Sequence, residues 1–223
     1  MKQPVVDYRT FRLSKINQPE FSHLKLLLGW LVYFLFYYLT ENFIPVESCH
    51  LIHSRLDEII PFNEFFFIPY CFWYVLIVLS LGYFLLYDIQ NFKNLQIFII
   101  ITQVVAMAVY ILYPSYQDLR PASFERNNLF THVAAFIYAF DTPTGVCPSL
   151  HVAYSIGIAS CWLKEKKASP GWKAFVTFAA VLISFSTMAV KQHSFIDVMA
   201  AIPVGLLAEG IVFHTYWKKK LQK

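Results

Sequence analysis

Apolar residues form six long runs along this chain, and polar residues gather in the segments between them. The runs cover residues 24–40, 65–87, 95–113, 149–163, 174–190 and 195–217. A helix needs about 20 mostly apolar residues to cross a hydrocarbon core of about 30 Å. Backbone groups in lipid must be satisfied within the segment, so runs of this length predict helices and not barrel strands. We therefore expect an all-α, polytopic membrane protein with a six-transmembrane-helix bundle.

Composition favours immersion in lipid over the buried core of a soluble helical protein. The 223 residues are 57% hydrophobic and 14% charged, whereas a soluble domain has about 25% charged residues. The 22 Phe and 14 Tyr residues exclude a disordered chain. Nucleic acid is not an expected partner, because no basic surface with interleaved aromatic residues lies outside the apolar runs. No linker separates the runs, so a single domain over residues 1–223 is expected.

Lysine and arginine are unevenly divided between alternate loops, and this division predicts an orientation. Fourteen of the 18 lie in one alternate set of segments, which consists of the N-terminus through Lys25, the turn at 88–94, the loop at 164–173 and the tail after 217. The other three loops hold four. Since basic residues favour the cytoplasmic side, the N-terminal segment 1–23 and the basic tail 218–223 are expected in the cytoplasm. The expected location is the plasma membrane.

A polar segment, KQHSFID at residues 191–197, begins the last run on the predicted outer side. A helix places His193 and Asp197, four residues apart, on one face. A carboxylate that accepts the imidazole Nδ1–H fixes the tautomer and leaves Nε2 as a nucleophile or base. Asp197 also lies inside an apolar run, where an ionisable residue is costly unless it is paired or functional. Taken alone, the spacing is equally compatible with helix capping.

Two further motifs fall on the same predicted side, RP at 120–121 and CPSLH at 147–151. The fourth and sixth runs both begin there, and a helix N-terminus offers unpaired N–H groups to an anion. Ser149 adds a hydroxyl, His151 an imidazole, and Arg120 a guanidinium that matches phosphate oxygens. Together these groups predict a site for an anion such as phosphate.

These motifs resemble the type 2 phosphatidic acid phosphatase superfamily, which is described by KxxxxxxRP, PSGH and SRxxxxxHxxxD. The 42 residues between the two histidines and the position of each motif among the six runs are similar as well. The stretch STMAVKQHSFID looks like a branch that includes lipid phosphotransferases such as inositol phosphorylceramide synthases. The resemblance implies a membrane enzyme acting on a phosphorylated lipid substrate through the outer site.

The resemblance also implies a role for each matching residue. His193 would attack phosphorus and form a phosphohistidine, Asp197 would orient it, and His151 would protonate the leaving alkoxide. Arg120, Ser149 and backbone N–H groups of the PSLH turn would bind the phosphate oxygens. No metal and no other cofactor is expected, because these fixed donors stand where other enzymes place an ion.

The chain departs from the family pattern at three positions. The Lys seven residues before the RP arginine is Tyr113 here, and the Arg six residues before His193 is Thr187. Leu150 stands where the family has glycine. Lys191 is the candidate that replaces the missing positive charge, and Thr187 is a candidate to reach the substrate.

The expected function is hydrolysis of a lipid phosphate or diphosphate at the extracytoplasmic face. An alternative is a phosphotransferase, which would pass the phosphoryl group or its phospholipid counterpart to an alcohol such as inositol. A second alternative is a non-catalytic carrier or structural membrane protein, in which the outer histidines would be dispensable. Which lipid is the substrate, and the oligomeric state, stay open.

Two smaller features of the outer loops also leave alternatives open. The spacing of His50 and His53 permits a metal site, although a solvated helix is the preferred interpretation. Cys49 and Cys147 both lie outside and could form a disulfide.

Overall fold

The protein is mostly helical, and its longest helices form one bundle. A computed structural model describes residues 3–221, with side chains to Lys219, and 71% of it is helical. The α-helices of this part are α1 Leu28–Phe43, α2 Arg55–Ile59, α3 Phe67–Tyr87, α4 Ile89–Leu112, α5 Leu129–Phe140, α6 Leu150–Lys164, α7 Pro170–Ala189, α8 Phe195–Val212 and α9 His214–Leu221. Two short strands, β1 His50–Leu51 and β2 Ser115–Tyr116, pair in parallel, with His50 opposite Ser115.

Five helical segments are long and apolar enough to cross a membrane. They are Ser22–Phe43, Glu64–Tyr87, Ile89–Leu112, Pro170–Ala189 and Phe195–Val212. These segments match five of the six apolar runs, which confirms the prediction of a helical membrane protein. The sixth span, the single domain and the cytoplasmic position of both termini stay predictions. Residues 1–2 and 222–223, at the ends of the two predicted cytoplasmic segments, lie outside the described residues.

The predicted fourth span is α6, a short helix at the centre of the bundle. Its 15 residues measure about 22 Å along the axis, less than the hydrocarbon thickness of about 30 Å. Ten of the 15 are buried, because α3, α4, α7 and α8 all pack against this helix. A Cβ atom on Gly157 would lie 2.5 Å from the Phe98 ring of α4, so the glycine permits this close approach.

Two elements differ from the predicted pattern. The loop between α4 and α6, which the sequence predicts to be the second outer loop, contains α5, a 12-residue helix that begins with an Asn128 capping box. Its apolar stretch is too short to cross a bilayer and lies among polar residues, so the run pattern did not reveal it. The last run was expected to continue to residue 217, but α8 ends at Val212 and α9 follows as a separate helix.

Alternate helix ends meet at one end of the bundle, which we call the site end. There the Tyr110 hydroxyl of α4 donates to the Pro148 carbonyl, at 2.8 Å. The Ser149 amide, just before α6, donates to the Asp197 carbonyl of α8, at 3.1 Å. At the opposite end, Asn91 of α4 donates to the Glu165 carboxylate, at 3.0 Å. The three motifs found in the sequence all lie at the site end.

Candidate active site

Two histidines from different helix ends meet at the site end. His193 lies in the turn between α7 and α8, and His151 lies in the first turn of α6. Their ring centroids are 5.5 Å apart, with the planes at 65°. His193 is only 8% exposed, and both rings line the same cavity. The structure therefore brings together the two residues that the sequence separates by 42 positions.

The turn that carries His193 is built on the end of α7. The amides of Gln192 and His193 both donate to the Thr187 carbonyl, at 3.0 and 3.1 Å. Lys191 has a φ of 54°, the left-handed conformation that commonly ends a helix. The Thr187 hydroxyl donates within its own helix, to the Ser184 carbonyl. Thr187 thus supports His193 through its backbone, whereas its side chain is bound away from the histidines.

His193, in the turn before α8, contacts Asp197 in the first turn of that helix, as their four-residue spacing predicts. Nδ1 of His193 lies 3.3 Å from Oδ2 of Asp197, and the carboxylate is completely buried. The same oxygen accepts the Ser194 amide at 2.9 Å, which forms the capping box of α8. Because Nδ1 is bound to the carboxylate, Nε2 is the nitrogen left to act on a ligand. Burial and the charge of Asp197 raise the pKa of the neighbouring Cys147 thiol to about 12.

The N-terminus of α6 carries polar groups without partners. Ser149 is completely buried but makes no side-chain capping bond to α6. Among the described residues, none bonds to its Oγ or to Nε2 of His151. The His151 ring is held in place by Tyr70 and Trp73, with centroids 4.6 and 4.1 Å away. Buried polar atoms rarely stay unbonded, so this corner suits a polar ligand.

Arg120 is bound to the loop that follows α5. Its guanidinium donates to the carbonyls of Tyr138, Asp141 and Thr142, at 3.2, 2.8 and 3.1 Å. It also donates to Oε1 of Gln192 at 2.6 Å, and its Nε lacks a partner within residues 3–221. Burial lowers the pKa of this guanidinium. In this arrangement Arg120 joins the loop to the His193 turn, and phosphate binding by Arg120 stays a prediction.

Lys191 points away from the histidines. Its ammonium donates to the backbone carbonyls of Asp57, at 2.6 Å, and Ile60. Burial lowers the pKa of this ammonium. No contact in the structure supports the expectation that Lys191 replaces the missing basic residues. Leu150, in contrast, is buried at the start of α6 and lines the cavity beside His151.

Sequence reasoning missed three residues at this site. Asp57 accepts hydrogen bonds from the Ser194 hydroxyl and the Phe195 amide, at 2.6 and 2.7 Å. Gln192 donates to Asp141 at 3.3 Å, and both line the cavity. The only available signal for Asp57 was its place in an acidic outer loop, and nothing local pointed to a partner 137 residues away.

A cavity of about 810 Å³ extends from the histidine pair into the bundle. Its walls are mainly aromatic and aliphatic. The lining from α1 and α3 includes Trp30, Tyr33, Phe34, Tyr37, Trp73, Tyr74, Ile77, Val78 and Leu81. From Cys71 to Leu81 it follows α3 for about 15 Å at 1.5 Å per residue. Several wall residues, among them Val78 and Phe136, are also exposed on the apolar surface of the bundle. The cavity therefore offers a polar head and a long apolar body.

The histidines and cysteines of the outer loops do not form a metal centre in the structure. Within residues 3–221, no group of three or more His, Cys, Asp or Glu side chains could hold a metal ion. His50 stacks on Tyr113, and His53 lies between Glu58 and Asp118. Cys49 and Cys147 are both free thiols. That the reaction needs no metal stays a prediction.

The fold and the site thus define a helical membrane protein with a His–His–Asp group at the head of an apolar cavity. No family model matches the chain, and no solved structure matches it at a significant level. Over 60 residues, 27% of this chain, it is 40% identical to a PA-phosphatase related-family protein from Dictyostelium discoideum. The match spans only 10% of that relative. This similarity agrees with the resemblance that the motifs suggest.

Proposed function

We propose that this protein is an integral membrane lipid phosphatase that hydrolyses a lipid phosphate or diphosphate through a phosphohistidine. The observation that carries the proposal is the histidine pair at the polar head of the 810 Å³ apolar cavity. Such a cavity accommodates a ligand with a phosphate at one end and a hydrocarbon chain at the other. The similarity to a PA-phosphatase related-family protein supports the same class.

In the first step, Nε2 of His193 attacks phosphorus and the bond from phosphorus to the ester oxygen breaks. Asp197 holds Nδ1 and balances the positive charge that develops on the imidazole. With a lipid phosphate, His151 gives a proton to the ester oxygen and the lipid departs as an alcohol. With a lipid diphosphate, the bond that breaks is the one from the terminal phosphorus to the bridging oxygen, and a lipid phosphate departs. The Ser149 hydroxyl and the free N–H groups at the start of α6 stabilise the phosphate oxygens.

In the second step, a water molecule attacks the phosphohistidine. His151 takes a proton from this water, the bond between nitrogen and phosphorus breaks, and phosphate leaves. The enzyme returns to its starting state. Orientation of the two rings in one buried site supplies much of the rate enhancement, because both groups act on a ligand already in place.

A phosphotransferase is the second candidate, and one observation favours it. Beside the histidines, the cavity wall carries a polar group formed by Tyr37, Asp141, Thr142 and Gln192. The Tyr37 hydroxyl donates to Asp141 at 2.7 Å. Such a group could hold an alcohol in the position where the hydrolase holds water. The bond between His193 and phosphorus would then break as the phosphoryl group passes to the alcohol hydroxyl.

The proposal of a lipid phosphatase is tested by measuring phosphate release from a panel of lipid phosphates and diphosphates by the protein purified in detergent. We expect His193→Ala to abolish release, whereas His132→Ala, an exposed histidine of α5, keeps the wild-type rate. Full activity in the His193 variant would exclude this nucleophile. Loss of wild-type activity with EDTA would exclude the metal-free scheme.

Two additions separate the remaining alternatives. Free inositol or another alcohol, followed by analysis for the phosphate ester of that alcohol, distinguishes a transferase from a hydrolase. A carrier or structural protein would release no phosphate from any substrate.

The outer-face orientation is tested by labelling Glu125→Cys, an exposed position, with a membrane-impermeant reagent from each side. Labelling only from the cytoplasm would overturn that orientation.

A further inference from the structure

The short helix α2 lies against the turn that carries the proposed nucleophile, and the two segments exchange contacts. Asp57 of α2 is only 3% exposed. Its Oδ2 accepts the Ser194 hydroxyl at 2.6 Å, and its Oδ1 accepts the Phe195 amide at 2.7 Å. Its Oδ2 also accepts the Ser54 amide at 2.8 Å. The Asp57 carboxylate therefore binds the first residues of α8 as well as its own helix.

Lys191 makes the opposite connection, from the turn back to α2. The Lys191 ammonium, in a residue that is 7% exposed, donates to the carbonyls of Asp57 and Ile60. These carbonyls lie at the C-terminal end of α2, where a helix carries partial negative charge. The Asp57 carboxylate meets the N-terminus of α8, where the partial charge is positive. Each buried charge thus faces a helix end of opposite sign.

These contacts lie on both sides of His193 in the sequence. Lys191 is two residues before it, and Ser194 and Phe195 follow it directly. The Ser194 amide is also held by Asp197 at 2.9 Å, so Ser194 connects the carboxylate of Asp57 to that of Asp197. A buried charge costs stability unless it is fully hydrogen-bonded. Any movement of the turn that broke the hydrogen bonds of Asp57 or Lys191 would therefore be unfavourable.

We propose that Asp57 and Lys191 are positioning residues, which hold the 191–197 turn so that His193 keeps its orientation toward His151. This role rests on the proposed function, because it matters for the reaction only if His193 is the nucleophile. Neither residue lines the cavity, so they act through the turn and not on the substrate. This role accounts for the direction of the Lys191 side chain, which points to the carbonyls of Asp57 and Ile60 and not to the histidines.

The central variants are Asp57→Ala and Asp57→Asn, with Glu58→Gln as the matched control. Glu58 neighbours Asp57 in α2, but its side chain is 70% exposed, and its partner among the described side chains is His53. We expect Asp57→Ala to lower kcat by about 10- to 100-fold, because a small misplacement of a reacting group costs that much. KM should stay within about twofold. Asp57→Asn should recover most of the rate, since an amide can still bond to the Phe195 amide and the Ser194 hydroxyl.

A second measurement keeps the proposal testable without activity. Hydrogen exchange of the 190–198 segment and modification of His193 by diethyl pyrocarbonate, located by mass spectrometry, report on the turn itself. Both should rise in Asp57→Ala and, through loss of the ammonium, in Lys191→Met. Both should match the wild type in Glu58→Gln. If no lipid phosphate is hydrolysed by the wild type, the proposed function fails while these readings still test the contact.

The measurements distinguish a positioning role of Asp57 from a role in global stability. A fall in kcat at constant KM, with faster exchange confined to residues 190–198 and rescue by Asn, supports positioning. Unchanged kcat and unchanged exchange in folded Asp57→Ala would overturn it. An equal rise in exchange throughout the bundle, with no rescue by Asn, would assign Asp57 to global stability and would also overturn it.

Discussion

The N-termini of α8 and α6 meet at the same histidine pair, but they are completed in different ways. At α8, the Ser194 side chain accepts the Ile196 amide, and the carboxylates of Asp57 and Asp197 accept the amides of Phe195 and Ser194. At α6, the equivalent residue Ser149 makes no side-chain capping bond. Its buried hydroxyl has no partner among the residues that the structure describes.

This difference indicates that the N-termini of the two helices have different functions. An N-terminus that already holds two carboxylates has no room for another anion, and its order suits a residue that must keep one orientation. An open N-terminus retains its N–H groups and its partial positive charge for a ligand. We therefore propose that the turn before α8 holds the nucleophile and that the N-terminus of α6 binds the phosphate.

The largest effect is expected at the capped helix. Asp197→Asn should lower kcat by about 10³-fold or more, because the amide neither fixes the imidazole tautomer nor balances its charge. The measurement is phosphate release under saturating substrate. Asp118→Asn, at an exposed acid whose ion pair within residues 3–219 is with His53, should leave kcat unchanged. An Asp197 variant with more than a tenth of the wild-type rate would remove this carboxylate from the mechanism.

The next largest effect is expected when the uncapped N-terminus of α6 receives a carboxylate. Ser149→Asp places a carboxylate where the phosphate is proposed to bind, and an aspartate at this position is also a good helix cap. We expect kcat/KM to fall by about 10²-fold while the midpoint of thermal unfolding is kept or raised. Inorganic phosphate should stabilise the wild type against unfolding but not this variant. Equal stabilisation of both proteins would place the anion elsewhere.

The smallest effect compares the two serines by stability. Ser194→Ala should lower the free energy of unfolding by about 1 kcal/mol, the usual value of a helix cap. Ser149→Ala should change it by less than about 0.5 kcal/mol, since its hydroxyl makes no hydrogen bond in the unliganded protein. Denaturant titration in detergent measures both. Equal losses would mean that α6 is capped in a way that this structure does not show.

Local patterns were sufficient for the helices of membrane-spanning length and for the nearest partners in the site. The apolar runs predicted the helices that could cross a membrane, and four-residue spacing predicted the contact between His193 and Asp197. Local patterns failed where partners are distant. Arg120 and Gln192 are 72 residues apart, and Asp57 and Ser194 are 137 apart. The sequence offers Lys191 as the replacement for the missing basic residues. In the structure its ammonium binds the carbonyls of Asp57 and Ile60, and a contact with phosphate stays a prediction.

By itself, the sequence determined what periodicity and composition control: a helical membrane protein and a set of polar residues at the starts and ends of its helices. The tertiary structure alone decided which of these residues face one another. Side-chain direction at a turn depends on backbone conformation, as with the left-handed Lys191, and on which distant carbonyl or carboxylate packs beside it. A buried charge is costly unless it is paired, and the Lys191 ammonium finds its partners in the carbonyls of Asp57 and Ile60, away from the histidines.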